Sequence, residues 1–147
     1  VNKSGRKASG QRENARIEFV ATMHKGNKTL IAVVKDLLFS AKITEAAKRT
    51  GLTLHYATTE SEVLERVKER PTLIIMDLNL EAAHPLRLIQ KLKSSPETKG
   101  ISIIGYLPHV QADLKLKAQQ AGCDMVMPRS AFSMNLVQIL KRHAGIV

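Results

Sequence analysis

The sequence predicts a doubly wound α/β fold, a five-stranded parallel sheet in the order 2-1-3-4-5 with helices on both faces. Three observations carry this expectation. Strand-like and helix-like segments alternate five times from residue 29 onward, and such alternation calls for crossover helices joining parallel strands. Strands covered on both faces should read as unbroken apolar runs, whereas edge strands can alternate. Here the first, third and fourth segments are unbroken, the second alternates and the fifth is short, which places those two at the edges. The connections are also short, leaving almost no slack between elements.

The first strand is expected at 29–34 (TLIAVV), followed by a helix over 39–50. Phe39, Ile43, Ala46 and Ala47 share one helical face, and Gly51 supplies the stop. Residues 52–57 (LTLHYA) alternate as a half-exposed strand does. Thr59 opens TESE, a capping box in which its hydroxyl takes the Glu62 amide while the Glu62 carboxylate reaches back. The helix that follows buries Val63, Leu64 and Val67, and Pro71 prevents its continuation. Residues 73–76 (LIIM) form the third strand, ending at Asp77. Pro85 suits the first position of the next helix, with Leu86, Ile89 and Leu92 facing inward. After the loop SSPETKG come a strand at 101–107 (ISIIGYL) and a helix near 112–121 with Leu114, Ala118 and Ala121 in register. A short strand at 125–127 and a last helix, capped by Ser130 and carrying Phe132, Leu136 and Ile139, complete the alternation.

At 147 residues the chain is about one domain long. Apolar residues make up 44% and aromatics only 3%, so the core is expected to be aliphatic. No apolar run approaches the roughly 18–20 residues that cross a bilayer. The single cysteine, Cys123, cannot close an internal disulfide, which fits a reducing, cytoplasmic setting. The net charge of +10 divides unevenly: residues 1–28 carry seven Lys or Arg against Glu13 and Glu18. They read as a basic, disordered leader preceding a domain at 29–147. A basic arm attracts phosphates, but without clustered aromatics or a helix-turn-helix pattern, nucleic-acid binding is the weakest reading.

In an open doubly wound sheet, ligands bind beyond the carboxyl ends of the strands, where the winding reverses. In this order that point lies between strands one and three, where Asp36 and Asp77 emerge, with Arg129 reaching in after strand five. Carboxylates beside a cation suit a hard metal such as magnesium and a phosphoryl group. The plain alternative is that Asp36 serves a turn, as aspartates at strand ends often do. His109, in YLPHV, lies close in sequence and reads more simply as a loop residue.

Three segments carry a resemblance to a known family. LIIMDLN resembles the phosphoacceptor segment of response-regulator receiver domains, AGCDMVMPRS resembles their segment ending in the active-site lysine, and AVVKDLLFSAKI resembles their opening strand with its acidic pair. The spacing from Asp77 to Arg129 matches without a gap, and the similarity covers about residues 29–143. The resemblance implies a flavodoxin-like (βα)5 fold, Asp77 as the phosphoacceptor equivalent and Arg129 in place of the lysine. It also implies a weak magnesium site on Asp36 and Asp77, with the Asn79 carbonyl as a further donor.

The departures point to a degenerate, pseudo-receiver subgroup. The acidic pair reads Lys35 and Asp36, so one metal-binding acid has become a base. The strand-four hydroxyl position falls at Leu107, which cannot donate, and the strand-five aromatic falls at Val126. Arg129 keeps the lysine's charge on a wider, planar head. Lys35 is expected to act as a built-in cation for Asp36 or Asp77. The function implied is that of a single-domain, non-enzymatic signalling protein. It would bind a histidine kinase or downstream effector, or a second copy, through helix four, strand five and helix five, with weak or absent phosphorylation switching. The alternative is a working phosphoacceptor, with Asp77 phosphorylated in a two-component relay.

Overall fold

The computed structural model describes residues 28–108 and 111–145. Apart from Lys28, the leader expected at 1–28 lies outside these residues, as does His109. Five strands, β1 (Thr29–Val33), β2 (Thr53–Ala57), β3 (Leu73–Asp77), β4 (Ser102–Leu107) and β5 (Met125–Pro128), form one parallel sheet in the order β2-β1-β3-β4-β5. The helices α1 (Leu37–Thr50), α2 (Glu60–Arg66), α3 (Pro85–Ser94), α4 (Ala112–Ala121) and α5 (Arg129–Ala144) connect and follow the strands.

The predicted order follows from burial. Every residue of β1 is buried, as are Leu73–Met76 of β3, whereas Thr53 and Tyr56 of edge strand β2 are exposed. Side chains alternate across the sheet and build two cores. Ile31, Ile74 and Met76 pack with Val63, Leu88, Ile89 and Leu92 of α2 and α3. Leu30, Ile75 and Tyr106 pack on the other face with Ile43, Phe132 and Leu140 of α1 and α5.

That second core is not wholly aliphatic, contrary to the expectation from composition. Phe39, Tyr106 and Phe132 meet in one cluster, Tyr106 stacked on Phe132 at 5.6 Å and edge-on to Phe39 at 4.9 Å. The aromatics are few but concentrated where α1, β4 and α5 converge.

Several element ends differ from their sequence reading. Asp36 caps α1, which therefore begins two residues early, at Leu37; its Oδ1 accepts from the Leu38 and Phe39 amides at 2.9 and 3.1 Å. Gly51 ends that helix as expected, at φ +75°, where a side chain would be strained. Thr59 Oγ1 accepts from the Glu62 amide at 3.2 Å, and the Glu62 carboxylate reaches back to the Thr58 amide at 2.7 Å, closing the expected capping box. In α3 it is Leu88, with Ile89 and Leu92, that is fully buried, and Leu86 lies partly out. Ser130 is not the cap of α5: the helix starts at Arg129 behind Pro128, without a side-chain cap.

Candidate functional site

The carboxyl ends of β1, β3 and β5 bring Asp36, Asp77 and Arg129 to one crevice. Asp77 is the last residue of β3 and lies opposite Tyr106 of β4 in register. Its Oδ1 accepts from the Asn79 amide at 2.8 Å, fixing the turn that follows. The Asn79 side chain donates to Gln111 at 2.8 Å, tying this turn to the start of α4. Leu78 fills the space beneath: its side chain would lie 2.9 Å from a Cβ at position 105, which only glycine leaves vacant. Burial pushes the Asp77 carboxyl above the usual aspartate range, outweighing the Asn79 amide and the Arg129 charge, with Asp36 adding to the rise.

Arg129 turns toward Asp36. Its Nη1 donates to Asp36 Oδ2 at 2.9 Å, and its guanidinium lies over the Phe39 ring, 5.6 Å from the centroid. Asp36 is held below the usual aspartate range, first by the Phe39 amide and further by the Leu38 amide and Arg129. The expectation for Lys35 is corrected here. Lys35 is exposed, and among the described residues the ion pair to Asp36 is made by Arg129.

These engagements bear on the metal. Asp36 Oδ1 serves two helix amides and its Oδ2 serves Arg129, leaving Asp77 and the Asn79 carbonyl as the remaining donors. Among the described residues no three His, Cys, Asp or Glu side chains gather as a metal cluster. The residues present fit a resident divalent cation poorly, because such an ion takes six or more oxygens and competes badly with a guanidinium already in place.

Leu107 is buried at the end of β4, in the core against α2, α3 and α4, and offers no donor to the crevice. Val126 is buried in the same core. Tyr106 is fully buried and packs in the aromatic cluster, but its hydroxyl finds no hydrogen-bond partner among the described residues. Burial, with the nearby Asp77 charge second, holds that phenol protonated well above the ordinary tyrosine range. Periodicity signals burial of an aromatic but is silent about whether its polar atom is matched.

No protein-family model matches the sequence, and no curated protein matches it. Solved structures do. A response regulator from Hahella chejuensis superposes with a TM-score of 0.71 at 18% identity, over 79% of this chain and 94% of that one. A putative response regulator from Chloroflexus aurantiacus gives 0.70 at 19% identity, over 80% and 98%. The phosphorylated cyanobacterial phytochrome response regulator RcpA gives 0.67 at 21%, over 78% and 89%. The response regulator Rcp1 superposes in its Mn(2+)-bound form with a TM-score of 0.65 at 17% identity, over 78% and 90%. With the strand order, the crossover helices and the placement of Asp77 and Arg129 at the carboxyl edge, the chain has the fold of response-regulator receiver domains.

Proposed function

We propose that this chain is a receiver-like signalling module that acts by binding another protein rather than by catalysis, with phosphorylation of Asp77 weak or absent. The observation that carries this is the Arg129–Asp36 ion pair at 2.9 Å. It engages the remaining acid of the metal position and holds the cation of the site toward that acid through one of its N–H groups. Transfer of a phosphoryl group to a carboxylate needs its developing charge offset. Arg129 is paired with Asp36, Leu107 donates nothing, and Asp36 is already engaged by two helix amides and the guanidinium.

The binding face favoured is that of α4, β5 and α5, where Leu116 and Met125 expose 52% and 42% of their surface. A kinase, a downstream effector or a second copy of the chain is the partner class. No helix among the described residues is long and apolar enough to cross a membrane, and Cys123 is a free thiol. Both agree with a cytoplasmic setting.

The second reading, a working phosphoacceptor, is favoured by the position of Asp77 alone, at the end of β3 facing the crevice. Intact mass after incubation with acetyl phosphate and magnesium separates the two. The proposed function expects little or no added phosphoryl mass, and near-complete conversion, lost in Asp77→Asn, would overturn it.

A further inference from the structure

A second charged cleft lies beside the crevice, between α1 and α5, with a volume of about 400 Å³. Asp77 does not line it. Its polar wall is Asp36, Lys42, Arg129, Ser130 and Ser133. Lys42 rises from the second turn of α1 and donates to Ser133 Oγ of α5 at 3.0 Å. Among the described residues it has no carboxylate partner; Glu45, the next acid on its helix, pairs with Arg49 instead. Two cations on neighbouring helices therefore converge on one opening, and Asp36 offsets only one of them.

The donors exceed what the protein uses. Arg129 gives one N–H to Asp36 and retains others on its planar fork. Lys42 gives one of three to Ser133. Ser130 and Ser133 line the same opening, and the first amides of α5 have no side-chain cap. Leu38, 83% exposed, and Pro108 line the same cleft and add apolar surface.

We propose that this cleft binds a phosphate group, held by Arg129, Lys42, Ser130 and Ser133, with the organic part of a small phosphate monoester resting on Leu38 and Pro108. A tetrahedral oxyanion accepts from a guanidinium, an ammonium and hydroxyls at once, which a flat carboxylate does less fully. The site is non-covalent and distinct from any acyl phosphate on Asp77. A ligand there touches the Arg129 that pairs with Asp36, so its occupancy is coupled to the neighbouring crevice.

The test is an amide NMR titration of the folded protein with inorganic phosphate and, separately, phenyl phosphate, neither of which phosphorylates Asp77. The expected result is saturable shifts at Lys42, Ser130 and Ser133, weakened about tenfold by Lys42→Gln or Ser133→Ala through loss of charge-assisted or hydroxyl bonds. Asp77→Asn, which removes a neighbouring negative charge, should not weaken binding, which separates this site from the proposed function. Tighter binding of phenyl phosphate supports the monoester. Equal affinity overturns the role of the apolar surface and leaves free phosphate as the ligand. Shifts centred on Asp77 and Asn79, variants that titrate like the unmodified protein, or no shifts at all overturn the site.

Discussion

Arg129 Nη1 donates to Asp36 Oδ2 across 2.9 Å, joining the start of α5 to the cap of α1. The pair sits on the rim of the aromatic cluster, with the guanidinium over Phe39. It makes one side of the crevice a fixed structural element: Asp36 caps a helix and holds a cation, and these tasks take three of its about four acceptor sites. The ion pair is partly exposed, so its influence is local and positional rather than a large contribution to stability.

The first prediction concerns magnesium. With Lys35 in place of an acid and Asp36 engaged by Arg129, magnesium should bind weakly, in the millimolar range or above. Lys35→Asp, which exchanges a repelling charge for a ligand, should tighten binding by about tenfold, a change of roughly 1.4 kcal/mol. Isothermal titration checks this; micromolar affinity in the unmodified protein contradicts it.

Asp77 carries a pH prediction. Its carboxyl is raised in the folded protein because burial disfavours the charged form. A raised group contributes stability below its unfolded value, near 4, and that contribution is lost as pH rises through the folded value. Asp77→Asn should therefore raise the melting temperature at pH 7, with the advantage vanishing near pH 3. Equal destabilisation at both pH values would show that the carboxylate holds the Asn79 turn more than burial penalises it.

Tyr106 offers a separate test. Its hydroxyl is buried and unmatched among the described residues, while its ring stacks on Phe132. An unmatched buried hydroxyl costs more than it returns, so Tyr106→Phe should leave stability unchanged or raise it by up to about 1 kcal/mol. Tyr106→Ala should cost about 3–5 kcal/mol through the cavity it leaves. Urea denaturation distinguishes them; a loss above about 1 kcal/mol in the Phe variant would reveal a hydrogen bond to the hydroxyl.

Gly105 is predicted to be intolerant of even one methyl. A Cβ there would meet three atoms of the Leu78 side chain at 2.9 Å, in a region where Leu78 is itself buried. Gly105→Ala should destabilise by about 1–3 kcal/mol. Because Leu78 follows Asp77 directly, the amide signals of Asp77 and Asn79 should shift as well. Unchanged stability with unchanged signals would show that Leu78 repacks freely.

The fold was legible because each strand's burial is written in its own residues. LIIM can only be a covered strand, and LTLHYA only an edge. The order β2-β1-β3-β4-β5 agrees with that pattern by placing the alternating and the short strand at the edges. Asp77 was legible for the same reason, as the polar residue that ends an apolar run. What escaped was side-chain direction. Sequence places Lys35, Asp36 and Arg129 near one another but does not say which pairs form. That choice rests on Asp36 turning to cap α1, and on Phe39 giving the guanidinium a surface to lie on. The aromatic cluster escaped because an overall aromatic content says nothing about where three rings meet. Ser130 was misread because a hydroxyl near a helix start looks like a cap, and the chain instead enters α5 directly from Pro128.

A phosphoryl group at Asp77 should leave the distant face of α4, β5 and α5 unmoved. Coupling requires an element with two arrangements that the phosphoryl group prefers unequally. Leu107 has nothing to offer a phosphoryl oxygen, and Val126 is small, branched and buried. The direct measurement is an amide NMR comparison with and without beryllium fluoride and magnesium. The account predicts that signals of α4, β5 and α5 remain largely in place, even if those around Asp77 respond. Large shifts spreading across that face would contradict it, and would make this chain a working phosphorylation switch.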